Sequence, residues 1–162
     1  MTACFRRAAA VDLPGIEANP GAAAELLFEP TDAGARGPVQ VDIDKMWNGL
    51  HWLLAGDTEN TDGLGAVVLG GEEVGEDCGY GPARLHRPDE VARLSAELNV
   101  VTEDQLRARW NPEQMLADDV YPSIWDEGDA VFEEELLPAF RQVRALFAEA
   151  ADAGEGVLVG IA

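Results

Sequence analysis

The stretch DIDKMWNGLHWLLAGD, residues 42–57, constrains the fold more than any other part of the chain. Six apolar side chains recur there at helical spacing and form one stripe: Ile43, Met46, Trp47, Leu50, Leu53 and Leu54. Asp42 or Asp44 can cap the start of such a helix, and Gly56 stands where a left-handed residue is needed to end it. The pattern therefore predicts an amphipathic helix near 44–55.

Shorter patterns predict elements in the rest of the first half of the chain. They predict a strand over 1–11 with Cys4 or Phe5 inward, helix starts at Asp12 and at Asn19 with Pro20, a helix over 20–28, a loop over 29–40, an exposed loop after Gly56, a short buried strand in GAVVLGG (65–71) and a flexible acidic segment over 72–82.

The second half of the chain has mainly helical patterns. They predict a helix after Pro88, a capping box formed by Thr102 and Gln105, an Asn-Pro helix start at Asn111, a break over 120–125, a long helix over 125–153 and a final buried strand over 157–162. Pro138 lies inside the long helix and should kink or divide it. An aromatic stripe of Phe132, Phe140 and Phe147 indicates either core packing or a partner face. These patterns predict an α+β fold over 1–162, a single compact domain with a small sheet packed against several helices.

The formal net charge of −20 limits the partners of the chain. Nucleic acids and anionic membranes are disfavoured, because both are bound by clustered Lys and Arg. A basic protein partner remains open, although a high net charge also serves solubility alone. No signal peptide and no apolar run of about 20 residues is found, which favours a cytoplasmic protein. Cys4 and Cys78 are then expected to be free thiols.

Two side chains of the 42–57 stretch are not explained by the stripe. On a helical wheel His51 lies at its border, on the same edge as Asp44 and Asn48. It is either a hydrogen-bonded histidine at the core border or a general acid, base or ligand. Trp52 lies on the opposite side, so either the helix is buried on two sides or Trp52 is an exposed binding anchor.

No motif of the sequence assigns a cofactor, a metal or a catalytic residue. Two cysteines and two histidines are present, but none has the close spacing of a structural zinc site. Cys78 follows Glu76 and Asp77, whose charges disfavour a reactive thiolate. Phosphate-binding and nucleophile-elbow motifs are not found in the sequence.

Several segments in order resemble the YfbM-like family of small bacterial proteins, a family without assigned function. They are DIDKMWNGLHWLLAG, AVVLGG, GYGPARLHRPDEV, VYP and GVLVGIA, of which the Asp-Lys-x-Trp-x-x-Leu-His string over 44–51 is the most specific. The opening MTACFRRAAAV departs from the family pattern. The resemblance implies a compact single-domain α+β protein of the cytosol, and it implies no reaction.

Two hypotheses for the function follow. The first is a non-enzymatic interaction protein for a basic partner, of the immunity or antitoxin type, and it rests on the charge. The second is a small-molecule binding protein or enzyme with a cleft near His51, Trp52 and Tyr80, the last from the glycine-rich segment. The binding candidates are therefore His51, Trp52, Asp44, Asn48 and Tyr80.

Overall fold

A computed structural model describes residues 1–19, 21–28 and 39–162 of the chain. Its strands are β1 (Ala3–Ala8), β2 (Gln40–Asp42), β3 (Glu72–Asp77), β4 (Pro82–His86) and β5 (Gly156–Ile161). They form one antiparallel sheet in the order β2-β1-β5-β4-β3. The last strand in the chain, β5, is thus the central strand of the sheet, and β2 and β3 are the edge strands.

The helices account for most of the remaining described residues. They are α1 (Leu13–Ala18), α2 (Gly21–Phe28), α3 (Trp47–Ala55), α4 (Ala66–Leu69), α5 (Pro88–Val100), α6 (Glu103–Arg109), α7 (Pro112–Ala117), α8 (Asp129–Val131) and α9 (Leu137–Ala153). Short 3-10 turns lie at Asp44–Met46, Gly63–Gly65 and Trp125–Glu127. The predicted α+β class is confirmed, as is the helix near 44–55. Within the described ranges, no helix combines the length and apolarity needed to cross a bilayer.

The sheet is buried on both of its faces. Phe5 and Val159 belong to the larger core, which the sheet shares with α3, α5 and α9. Cys4 and Leu158, their neighbours in β1 and β5, belong to a smaller core under α1 and α2. Successive side chains of a strand point to opposite faces, so Cys4 and Phe5 are both inward. This two-sided burial explains the continuous apolar run of β5.

Pro138 changes the hydrogen bonding of the long C-terminal helix but does not divide it, because the backbone stays helical from 129 to 153. A π-helical segment, Phe132–Leu136, precedes it, and Pro138 lies in the first turn of α9. Proline lacks the N–H that an unbroken helix would use at that position, and the wider π turn accommodates the change. The aromatic stripe of Phe132, Phe140 and Phe147 is entirely buried, so core packing is the correct interpretation.

Two predictions for the middle of the chain are wrong. GAVVLGG is a 3-10 turn followed by α4, and Ala66–Val68 pack against α3. A short apolar run bounded by glycines does not distinguish a buried strand from a buried helical turn. The acidic segment is the edge strand β3, not a flexible region, and it pairs with β4, which the sequence did not predict. Of the predicted loop 29–40, residues 29–38 lie outside the described ranges, as does Pro20, and Gln40 begins β2.

The capping box at the start of α6 gives a first testable prediction. Thr102 Oγ1 accepts the N–H of Gln105 at 3.1 Å, and Gln105 Oε1 accepts the N–H of Thr102 at 2.9 Å. Thr102→Ala is expected to lower the free energy of unfolding by about 1 kcal/mol, because a helix N–H loses its acceptor. Urea unfolding measures the loss. Thr102→Ser retains the acceptor and should be nearly neutral; an equal loss in both variants would contradict the role of the cap.

Candidate functional site

Helix α3 is buried on every side. Its residues 47–54 are all buried, although only one stripe is apolar at helical spacing. Trp52 is 7% exposed, and its Nε1 donates to Asp118 Oδ2 at 2.9 Å. The expectation of a helix buried on two sides is therefore confirmed, and Trp52 is not an exposed anchor. Gly56 ends α3 in the left-handed conformation, with φ of 76°.

His51 lies deeper than its place on the helical wheel indicates. It is fully buried, and neither ring nitrogen has a hydrogen-bond partner within the described residues. The prediction that His51 stands at the core border is therefore wrong, because the imidazole lies inside the core. The reason is the turn Gly63–Gly65 with α4, which packs on α3 and converts a helix border into core.

Burial also determines the protonation state of His51. It lowers the pKa of the imidazole to about 4, because the interior disfavours the charged form. The Gly65 backbone, near the ring but outside hydrogen-bond geometry, and the charge of Asp57 act in the opposite direction. The ring is therefore neutral at pH 7 and is shielded from solvent.

Two of the five candidates lie around Trp47, at the start of α3. The Tyr80 ring lies with its centroid 5.1 Å from that of Trp47, and Tyr121 lies at 6.1 Å on the same indole. Asn48 Oδ1 accepts the N–H of Tyr121 at 2.8 Å. Asp44 is exposed and stands one turn before Trp47. The structure thus brings Tyr80 and Asn48 together at Trp47 and Tyr121, while Asp44 precedes them in the chain and His51 and Trp52 lie further along the helix.

Trp47 itself was not singled out in the sequence, because it belongs to the apolar stripe. Its ring is buried, yet Nε1 has no hydrogen-bond partner in the described part of the chain. Tyr80 is 49% exposed on the solvent side of this ring. The orphan N–H and the exposed tyrosine are features of the tertiary structure, which no sequence pattern signals.

Neither of the two predicted aspartates caps α3, because the residue that precedes the helix is Met46 and no side chain accepts an N–H of its first turn. Asp42 Oδ1 accepts the N–H of Asp44 at 2.8 Å in the turn that enters the 3-10 segment. The side chain of Asp44 makes no capping bond, and its backbone has a φ of 50°. A non-glycine residue in this left-handed region costs conformational energy. Asp119 and Ser123, on either side of Tyr121, share this conformation, with φ of 53° and 61°.

A separate cavity lies at the other end of α3. It has a volume of about 320 Å³ and is lined by Trp52, Leu54, Ala55, Gly56 and Arg109. Neither His51 nor Tyr80 belongs to its lining. The three residues of the predicted cleft are therefore not brought together around this cavity.

His86, Cys4 and Cys78 are the remaining residues that the sequence offered for metal binding or nucleophilic chemistry. His86 is fully buried against Phe147, and its Nδ1 lies 3.1 Å from Glu90 Oε2, a contact that lowers the pKa of Glu90. Both cysteines are free, and burial raises the pKa of the Cys4 thiol. In the described ranges, no three His, Cys, Asp or Glu side chains are grouped to hold a metal ion.

Comparisons with known proteins agree on the fold. The crystal structure of YfbM from Escherichia coli, a protein of unknown function, superposes with a TM-score of 0.75, covering 98% of each chain. The two sequences are 19% identical, so this likeness shows the fold alone. No curated protein matches the chain. The model of the DUF1877 family, a domain of unknown function, matches residues 1–160. The chain therefore belongs to the DUF1877 family, and the YfbM-like assignment made from its motifs is confirmed.

Proposed function

We propose that the protein is a non-enzymatic interaction protein that binds a basic protein partner, in the manner of an immunity protein or antitoxin. The observation that carries the proposal is the distribution of charge on its surface. The chain has 31 acidic and 11 basic side chains. A partner that supplies the missing positive charge would be attracted at long range and oriented on approach.

The few cations of the protein are largely engaged by its own carboxylates. The ion pairs are Arg7 with Glu155, Arg84 with Glu73, Arg87 with Glu17 and Glu72, Arg93 with Glu90 and Glu97, Arg107 with Asp129 and Glu133, and Arg141 with Glu103. Exposed carboxylates such as Asp42, Asp44 and Asp77 have no ion-pair partner among the described residues. The surplus charge is therefore carried by unpaired acidic groups in contact with solvent.

At one end of the sheet these carboxylates accompany the aromatic rings near Trp47: Asp77 lies in the turn of Tyr80, and Asp42 and Asp44 precede α3. We call this region the Tyr80 surface and define it as Asp42, Asp44, Asp77, Tyr80 and Tyr121. Asp77 Oδ1 accepts the N–H groups of Gly79 and Gly81, on either side of Tyr80. A lysine or arginine side chain is attracted both to carboxylates and to the face of an aromatic ring. Tyrosine is also enriched among the residues that dominate binding energy at interfaces. The Tyr80 surface suits the basic side chains of a protein partner.

The experiment is affinity capture from a lysate of the native host, followed by titration of the captured protein in pure form. The wild-type chain should capture a basic protein at low salt and release it at high salt, because screening weakens the attraction. Asp42→Asn, Asp44→Asn and Asp77→Asn together should weaken the binding at least about tenfold. Asparagine keeps the oxygen that accepts the backbone N–H groups, so the turns are preserved.

The matched control removes three charges at the opposite end of the sheet. Asp12, Asp89 and Asp152 are exposed and stand near the ends of β1, β4 and α9 that lie away from Tyr80. Asp12→Asn, Asp89→Asn and Asp152→Asn together change the net charge equally and should leave binding nearly intact. An equal loss of partner binding in both triple variants would show that the attraction is nonspecific, and it would refute the Tyr80 surface as the binding site. Capture of no basic protein would refute the function.

A further inference from the structure

The cavity at the C-terminal end of α3 has a chemical character that the proposed function does not use. Its volume of about 320 Å³ falls at the lower end of the range for sites of small molecules. Trp52 and Leu54 provide apolar walls, and Arg109 provides a charge. Gly56 has no side chain to narrow the opening. The cavity is lined for a small ligand with an apolar body and one charged group.

Arg109 is exposed and, like Arg144, has no ion-pair partner among the described residues, although 31 acidic side chains are present in the sequence. Nη1 donates instead to the carbonyl oxygens of Leu53 at 2.9 Å and Leu54 at 3.3 Å. These bonds hold the guanidinium against the last turn of α3. For Nε and Nη2 the described part of the chain supplies no acceptor.

The second wall of the cavity is also held in place. The Trp52 indole donates Nε1 to Asp118 Oδ2, and Asp118 Oδ1 accepts Nε2 of Gln114 at 2.7 Å. These two bonds use both oxygens of the Asp118 carboxylate. An aromatic wall and a guanidinium, each fixed by other bonds, are preorganised for a ligand.

We propose that this cavity binds a small organic monocarboxylate with a compact apolar or aromatic body. The carboxylate pairs with Nε and Nη2 of Arg109, whose planar fork matches the two oxygens. The body of the ligand contacts Trp52 and Leu54. A polyanion does not suit the cavity, because one guanidinium faces it and the net charge of −20 repels further negative charge. A cation does not suit it either, because the cavity already holds the positive charge of Arg109.

The cavity and the Tyr80 surface are distinct sites. They lie at opposite ends of α3, which spans Trp47 to Ala55 and is therefore about 12 Å long at the usual helical rise. The Asp42, Asp44 and Asp77 triple variant should thus leave carboxylate binding unchanged. Carboxylate binding in the cavity therefore does not depend on the existence of a basic protein partner.

The test uses phenylacetate as the probe and the indole Nε1–H signal of Trp52 as the readout, in two-dimensional NMR spectra of the ¹⁵N-labelled chain. Trp52→Phe identifies this signal among the four indole signals. Phenylacetate at millimolar concentration should shift it in a saturable manner. Phenylacetamide, which keeps the ring and lacks the charge, and acetate, which keeps the charge and lacks the ring, should bind at least about tenfold more weakly.

Two arginine variants with the same change of charge locate the site. Arg109→Gln should weaken phenylacetate binding at least about tenfold, since it removes the charged fork and retains a donor for the α3 carbonyls. Arg144→Gln is the control, because Arg144 lies over the Phe140 ring and forms no ion pair in the described ranges. Thermal unfolding of both variants verifies that they are folded. The absence of a saturable shift, equal binding of phenylacetamide, or equal losses in the two variants overturns the proposal.

Discussion

Gly49→Ala is expected to lower the free energy of unfolding by roughly 3 kcal/mol, the upper part of the range for an overpacked core. A β-carbon at Gly49 would lie 2.4 Å from the Trp125 ring and 3.1 Å from Leu136 Cδ2. Neither neighbour can easily yield, because both are buried and Trp125 Nε1 donates to the Val120 carbonyl at 2.7 Å. Urea unfolding measures the loss. The slope of the free energy of unfolding against urea concentration should not change.

Two further variants separate this clash from the general effect of alanine in a helix. Gly15→Ala, in α1, places its methyl group where no atom lies within 4 Å, and it should stabilise by up to about 1 kcal/mol through reduced entropy of the unfolded chain. Trp125→Phe removes the ring atoms nearest to Gly49, so Gly49→Ala should cost less in that background. A neutral Gly49→Ala in the wild-type chain would contradict the close packing of α3 on Trp125.

The stability of the protein should fall by roughly 3 kcal/mol between pH 6.5 and pH 4 through His51 alone. Burial lowers the pKa of His51 from 6.5 to about 4 in the folded chain. As the pH falls below 6.5, the unfolded chain binds the proton first, so protonation favours unfolding until the folded protein also titrates near pH 4. Well above pH 6.5 both states are neutral at this residue, and its contribution no longer varies with pH.

His51→Leu isolates the contribution, because the carboxylates of the chain also titrate in acid. The difference in free energy of unfolding between the wild-type protein and His51→Leu should change by about 1.4 kcal/mol per pH unit over this window. It should become constant well above pH 6.5. Leucine also replaces two nitrogens that lack partners, so the variant need not be less stable at pH 7. A difference that is flat from pH 4 to pH 7 would show that His51 is accessible to solvent.

Features encoded by neighbouring residues could be predicted from the sequence. The helix near 44–55, the capping box at Thr102, the irregular helix turn before Pro138 and the buried final strand all depend on residues a few positions apart. Their determinants are periodicity, cap residues and the missing N–H of proline. The α+β class followed from these elements together.

Features that depend on distant neighbours could not be predicted. GAVVLGG has the composition of a strand, and it is helical because it packs on α3. The acidic segment 72–77 becomes a strand because it pairs with β4 at a sheet edge, where charged side chains are tolerated. His51 appears on the wheel at a border, and it is buried in the structure, where the turn Gly63–Gly65 and α4 pack on α3.

The candidate site shows the same division. Asp44 and Asn48 could both be placed near the start of the helix, because they are four residues apart along the chain. The approach of Tyr80 and Tyr121 to Trp47 joins three distant parts of the chain, and so no local pattern contains it. Arg109 could not be identified from the sequence for the same reason, because its position depends on the carbonyl oxygens of α3 that it contacts.

The central position of β5 has a consequence for the order in which the protein folds. Ala3 of β1 faces Ile161 of β5 in the sheet, and His86 of β4 faces Val157. During synthesis β1 and β4 therefore emerge from the ribosome long before the strand that joins them. Closing such long loops is entropically costly and slows folding. Until residues 156–161 are released, the inner edges of β1 and β4 are unpaired, and this is the interval in which the nascent chain is most exposed to aggregation.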